Sequence, residues 1–176
     1  VQEVLDFWFD ELGEPGWFVR DARIDKRIRK QFLALHKQLS TDEDAEICGA
    51  LPLLAAVIVL DQFSRNLFRG SAQAFATDAL ARQLAKRAIA DGLDLALENA
   101  QRYFLYLPFE HSEDPADQVL AVDLIAQLDR DEWTRYAVAH KALIDRFGRF
   151  PHRNAVLGRQ SSAEEIAVMK KPMGSF

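Results

Sequence analysis

Apolar positions in this chain recur mostly at three- and four-residue spacing, the period of a helix with one buried face. The exception is Leu51 to Leu60, LPLLAAVIVL, nine apolar residues and one proline with no polar face at all. Such a segment has nothing to offer water and belongs at the centre of a helical core. It runs directly into Asp61, Gln62, Arg65, Asn66 and Arg69, polar groups that need partners at the rim of that core.

The pattern places helices on both sides of this segment. Val1, Val4, Leu5, Trp8 and Leu12 predict an N-terminal amphipathic helix stopped by Gly13, Pro15 and Gly16, with Trp8 and Trp17 packing inward. Ile24, Ile28, Phe32, Leu35 and Leu39 form a second stripe, with Arg23, Lys26, Arg27, Arg29 and Lys30 on solvated faces. Ser40 to Glu46 is polar and acidic, a loop or short turn before a central helix that starts at Gly49 and takes Pro52 in its first turn. Val57-Ile58-Val59 favours strand by propensity, but no partner strand appears in the chain, so helix is the reading that satisfies the backbone.

Beyond Gly70 and Ser71 a long helix is expected through Ala72, Phe75, Ala79, Leu84 and Ile89, closing at Asp91-Gly92. Leu95 to Tyr106 is a shorter one, broken at Pro108. Asp114-Pro115 opens the next, with Val119, Leu120, Leu124, Ile125 and Leu128 as its buried face and Asp129 to Glu132 as the following turn. Trp133, Tyr136, Ala137, His140, Leu143, Ile144 and Phe147 mark another, stopped by Gly148. Ser-x-x-Glu occurs in two registers, Ser161 with Glu164 and Ser162 with Glu165, and starts the last helix. Six to eight helices, short connections and no credible strand predict an all-α fold of antiparallel helix pairs. One domain spans 1–176, with 148–176 as a C-terminal arm folding back on the bundle, and no fixed repeat period is visible in the residues.

Composition narrows the function classes. A chain of 176 residues, 49% hydrophobic and 28% charged, buries roughly 70% of its unfolded surface. Its net charge of −5 argues against a general nucleic-acid binder, which carries a positive excess. The single cysteine, Cys48, cannot form an internal disulfide, and its acidic neighbours disfavour a thiolate. The longest apolar run falls short of the roughly 18 to 20 residues that span a bilayer, and no secretory leader opens the chain, so a cytoplasmic protein with no membrane partner is expected.

Four polar groups sit in apolar surroundings. On a helix Asp61 and Arg65 share a face, as do Arg65 and Arg69, so one carboxylate pairs one guanidinium and leaves the other to hold a carboxylate or phosphate. Asn66 joins this wall. Tyr106 to Asp114 carries Glu110, His111, Glu113 and Asp114, with no Lys or Arg between Tyr103 and Asp129. Arg146, Arg149, Arg153 and Arg159 follow with no acid among them, around His152-Arg153-Asn154. This charge blocking predicts that the arm latches onto the Glu110 to Asp117 turn, or that the groups share a polar pocket in which His111 and Glu110 or Glu113 meet Arg65, Arg153 and Asn154. His140, alone on an apolar stripe, reads as a hydrogen-bonded core histidine. In a catalytic pocket His111 would transfer the proton, with Glu110 or Glu113 orienting it or acting as a second base. Asp61, Arg65, Asn66, Arg69, His152, Arg153 and Asn154 would bind a small anionic molecule or acidic peptide. No metal-ligand spacing, cofactor loop or nucleophile elbow is present. The readings are therefore a binding protein with an Arg-lined pocket, a hydrolytic or acid–base enzyme, and a helical interaction scaffold.

Four stretches carry a family resemblance: VLDFWF at Val4 to Phe9, LDQFSRNLFRGSAQAFATD at Leu60 to Asp78, YLPFEHSED at Tyr106 to Asp114 and FGRFPHRNAVLGRQSSAEE at Phe147 to Glu165. They are similar, from about Val4 to Ile166, to the bacterial family known as domain of unknown function nine-two-four. The resemblance implies a tetratricopeptide-like α-α superhelix and no assigned activity. Asp61, Arg65, Asn66, Glu110, His111, His152, Arg153 and Asn154 fall on its motifs without roles. The family reads proline where this chain has Ser64, which permits a helix to continue through Phe63.

Overall fold

The computed structural model describes residues 1–41 and 47–174, helical with no strand among them. The acidic stretch from Asp42 to Glu46 lies outside the described residues, but Ser40 and Thr41 belong to the second helix rather than to a loop. The α-helices are α1 (Gln2–Leu5), α2 (Ala22–Thr41), α3 (Ala50–Val57), α4 (Ser64–Leu67), α5 (Asp78–Ala90), α6 (Asn99–Glu110), α7 (Pro115–Ala126), α8 (Asp131–Phe147) and α9 (Ala163–Met169). The wide, π-type turns Asp6–Leu12 and Ile58–Phe63 extend α1 and join α3 to α4 in one rod. Two compact units result, Val1–Arg69 with Gln73–Leu105, and Gly70–Ala72 with Tyr106–Phe176.

The first unit is built on the rod. Every residue from Leu53 to Ser64 is buried, while Leu51, at the start of the apolar run, is 41% exposed. By length and composition Ala50–Leu67 could cross a bilayer, but 72% of it is buried within the structure, the condition of a core helix with neighbours on all sides. Phe63 packs edge-on against Trp8 at 5.6 Å and lies 4.8 Å from Phe32. Trp8 and Trp17 both point inward as expected. The Trp8 carbonyl accepts from the Gly13 N–H at 3.2 Å, a five-residue closure, and from the Trp17 Nε1–H at 2.8 Å. Gly13 then leaves the helix at φ 63, ψ −179, a conformation open essentially to glycine alone. The five basic residues of the α2 stripe are exposed as predicted.

Three expectations need correction. The helix predicted from Ala72 is a 3-10 turn, Ala72–Phe75, followed by α5. Buried Thr77 separates them, because its hydroxyl donates to the Leu60 carbonyl at 2.6 Å and ties the start of α5 to the rod. Residues Leu93–Ala96 form another 3-10 turn with Leu95 74% exposed, so α6 starts at Asn99. Pro108 does not break α6, which continues to Glu110. A proline in a helix interior costs about 3 kcal/mol, but here it is two residues from the end, and Tyr106, Leu107 and Phe109 around it are at most 1% exposed. Burying those three side chains at about 1.5–3 kcal/mol each outweighs one lost backbone hydrogen bond.

In the second unit α7 packs along α8, and Leu143, Ile144 and Phe150 form a core with Phe147 and Val168 against it. The predicted buried face of α7 is displaced. Ile125 and Leu128 are buried with Ala121, but Val119 is 47% exposed, Leu120 and Leu124 are half-buried, and Asp117 and Gln118 are inside. The reason is the α6–α7 turn, whose carbonyls need a buried donor (below). Gly148 closes α8 in the left-handed conformation. Of the two capping registers the chain uses Ser162 with Glu165, each side chain bonding the other's backbone N–H at 3.1 and 2.7 Å.

Candidate functional site

In the first unit the π-type turn brings Asp61 and Arg65 together as the spacing implied, Nη1 to Oδ1 at 3.2 Å. The wall is otherwise closed by acids that spacing could not supply. Arg65 also reaches Asp78 with both terminal nitrogens, at 3.0 and 3.2 Å, and lies over the Phe75 ring. Burial alone would lower the Arg65 pKa, but Asp61 and Asp78 together raise it. Arg69 is not left over for a ligand, because it forks onto Asp25 at 2.9 and 2.8 Å, and Asn66 donates to the same carboxylate at 2.8 Å. Burial pushes the Asp25 carboxyl up, and hydrogen bonds from Arg69 and Asn66 outweigh it and hold it below its usual value.

Ser64 has a role that its spacing did not announce. His36 Nε2 lies 2.6 Å from Ser64 Oγ, which lies 2.7 Å from Thr77 Oγ1, which donates to the Leu60 carbonyl. A carbonyl only accepts, so the Thr77 proton is committed to Leu60 and the Ser64 proton to Thr77. His36 Nε2 must therefore carry a hydrogen and donate to Ser64. The histidine is a donor here, so this Ser–His contact is not a nucleophile with its base. Burial lowers the His36 pKa, which keeps the ring neutral. A cavity of about 210 Å³ opens beside Ser40, Thr77 and Gln83 in this unit, and none of the predicted site residues lines it.

In the second unit the arm latches onto the α6–α7 turn. Arg159 grips Glu113 with two bonds, at 2.8 and 2.9 Å, and donates to Asn154 Oδ1 at 2.9 Å and to the Phe150 carbonyl at 3.2 Å. Glu113 also accepts from the Phe150 N–H at 2.8 Å. Burial raises the Glu113 pKa, and the Arg159 and Phe150 hydrogen bonds more than reverse this. Asn154, wholly buried, donates to Ser161 Oγ at 3.1 Å. Arg149 pairs with Glu165, whose pKa falls to about 2 chiefly through that hydrogen bond. Arg153 stands over the Phe150 ring and donates to the His111 carbonyl at 2.9 Å. Gln118 Nε2 points at three carbonyls of the turn, Phe109, Glu110 and Ser112, at 3.3, 2.7 and 2.7 Å.

Among the buried carboxylates of this turn, Glu110 keeps unmet hydrogen-bonding capacity. It is 2% exposed, its Oε1 lies 2.9 Å from His140 Nδ1, and its Oε2 has no hydrogen-bond partner among the described residues. His140 Nδ1 is also 2.9 Å from the Tyr136 carbonyl. Both neighbours are acceptors, so Nδ1 carries a hydrogen and faces both of them. The Phe150 ring packs edge-on against His140 at 5.6 Å, the His111 ring is 6.1 Å from that of His140, and His152 lies 5.5 Å from Phe150. Two histidines therefore flank Phe150, and a third, His111, stands beside His140. Among the described residues no group of three or more His, Cys, Asp or Glu is arranged to hold a metal.

The structure thus joins Glu110, His111, Glu113, His152, Arg153 and Asn154 within the second unit, and Asp61, Arg65, Asn66 and Arg69 within the first. Sequence reasoning missed Asp25, Asp78 and Gln118 as partners and read His140 as a core histidine ahead of a base, without placing it in the site. The one signal for His140 was its polarity on an otherwise apolar stripe.

The model of a family described as a bacterial protein of unknown function, DUF924, matches residues 4–173. A solved structure, that of the protein of unknown function ATU0120 from Agrobacterium tumefaciens, is 39% identical, with 97% of each chain covered and a TM-score of 0.87. No curated protein matches the chain. Neither the family nor this neighbour carries a specific function.

Proposed function

We propose, for a chain that belongs to this bacterial family of unknown function, that its second unit carries an acid–base site in which Glu110 orients His140 and His111 stands beside them. The observation that carries the reading is the Glu110–His140 contact. A carboxylate accepting Nδ1–H fixes the tautomer, leaves Nε2 as the base, and stabilises the imidazolium formed when Nε2 takes a proton. Burial strengthens that stabilisation, because the pair interacts in a medium less polar than water. The roles expected of His111 and Glu113 shift accordingly. Glu113 is held in the latch by Arg159, and the His111 backbone is held by Arg153, while His140 takes the place of proton-transfer residue. The arginines of the expected anion pocket make ion pairs or carbonyl contacts within their own units, which favours acid–base chemistry over anion capture.

The test is a hydrolase panel of activated esters, amides, phosphoesters and glycosides, run on the wild type and on His140→Asn. A positioned general base contributes about 10²–10⁴-fold. A wild-type activity that falls at least a hundredfold in the variant, with loss of the acid limb of its pH profile, where protonation of the base shuts activity off, supports the reading. Equal activity in both proteins, or none in the wild type, overturns it.

A further inference from the structure

We propose that Glu110 is also the ligand-recognition group of this unit, and that it takes the ammonium or amidinium group of a small ligand rather than an anion. The inference rests on the acid–base reading only for the location of the site. Its basis is a mismatch between acids and donors. Every other acid named in the two clusters has donors of its own: Asp25 has Arg69 and Asn66, Asp61 has Arg65 and Gln62, Asp78 has Arg65, Glu113 has Arg159 and the Phe150 N–H, and Glu165 has Arg149 and the Ser162 N–H. Glu110 is buried as deeply as Glu165 and receives one donor, the His140 Nδ1–H, already shared with the Tyr136 carbonyl. Its second oxygen is a buried acceptor without a partner.

Leaving such an oxygen unmatched costs more than an ordinary hydrogen bond gains, so a donor that reaches it binds with both the hydrogen bond and the relieved desolvation. A cationic N–H donor suits a carboxylate oxygen best, because charge assistance roughly doubles the bond. An anion meets the reverse: a carboxylate at the contact point. The charge of the unit agrees. Arg149 and Arg159 are paired with Glu165 and Glu113, and Arg146 and Lys141 with Glu164 and Asp145. The same ligand, bound through its nitrogen at Oε2, would present a neighbouring group to the His140 side of the carboxylate, where the base stands.

The experiment uses the whole chain. Ethanolamine, putrescine and benzamidine are titrated by calorimetry and NMR at constant ionic strength, against acetate, glycolate and inorganic phosphate as opposing probes. One charge-assisted contact supports affinities of about the millimolar range, so titration runs to about 50 mM. The expected result is binding of amines and not of anions, a change in the Glu110 side-chain carboxyl carbon resonance on titration, and at least tenfold weaker amine binding in Glu110→Gln. That substitution keeps an acceptor for His140 and turns the unmatched acceptor into a donor, so the variant should gain affinity for acetate. The resonance is read in the wild type, which keeps the test independent of how the variant folds. Anion binding in place of amine binding, equal amine affinity in Glu110→Gln, or no binding of any probe overturns the inference. The acid–base reading fails separately, if the histidine NMR spectrum places the His140 hydrogen on Nε2 while the amines still bind.

Discussion

Arg159→Ala tests whether the C-terminal arm is held by the charge blocking visible in the sequence. The substitution removes two bonds to Glu113, one to Asn154 and one to the Phe150 carbonyl, leaving Glu113 with the Phe150 N–H. Hydrogen bonds to charged groups contribute about 1.5–3 kcal/mol and do not add when they share one side chain. The pair is partly screened, with side chains 24% and 29% exposed, which brings the expected loss to about 2 kcal/mol. In a chain of this size that corresponds to about 4–8 °C in melting temperature. Urea denaturation of Arg159→Ala, Glu113→Gln and the double variant gives the coupling directly, expected at about 1–2 kcal/mol. The pH dependence supplies an independent sign. Glu113 has a lower pKa folded than its ordinary 4.5, so the unfolded chain binds its proton more readily, and the latch is at full strength above about pH 5. The gap between wild type and Arg159→Ala should therefore be flat from pH 5 to pH 8 and narrow as the pH falls below about 4.5. A coupling under about 0.5 kcal/mol, or a gap that widens in acid, would refute the latch.

Four further outcomes follow from the same geometry. His36 has a folded pKa below its ordinary 6.5, so its stabilising contribution is present above that value and declines as the pH falls through and below it; denaturation at pH 8 and pH 5 should show a larger acid loss for the wild type than for His36→Gln. Thr77→Val, which removes the hydroxyl between Ser64 and the Leu60 carbonyl, should destabilise by about 1–3 kcal/mol in the same assay. Gln118→Leu strips the donor from three carbonyls of the α6–α7 turn and should cost about 2–3 kcal/mol. Ser162→Ala removes one half of the capping box and should cost about 1 kcal/mol, seen first as faster amide exchange in α9.

The helices were legible because their stripes are local: period and punctuation alone place the stripe of α2, the Gly148 stop and the capping box at Ser162. The misreadings share one cause. Pro108 reads as a breaker by its own cost, but the outcome depends on how deeply Tyr106, Leu107 and Phe109 are buried. Val119 reads as inward because it is apolar, but the turn before α7 requires Gln118 inside, and a helix cannot turn both faces to one core. The first polar cluster was half legible. Asp61 and Arg65 are four apart and meet, but the acid that holds Arg69 lies 44 residues away in α2, a pairing that no spacing rule encodes.

The second cluster shows how far chemistry can be separated from support. Glu110 and Glu113 stand three residues apart in one motif, and from sequence they were interchangeable partners for His111. Their surroundings assign them opposite work. Glu113 faces the arm, collects donors from Arg159 and Phe150 and loses its freedom to change protonation near neutrality, which is what a latch requires. Glu110 lies within α6, where Arg159 does not contact it, and is bonded instead by a histidine that can itself take up a proton. The latch and the pocket were rival explanations of one block of charge, and the proposed site draws on both. The arginines close the arm around Phe150, and that ring packs against His140, the histidine in contact with Glu110. On this argument the latch is the support of the site. Arg159→Ala should then weaken amine binding in proportion to its effect on stability, whereas Glu110→Gln should abolish that binding at little cost to the fold.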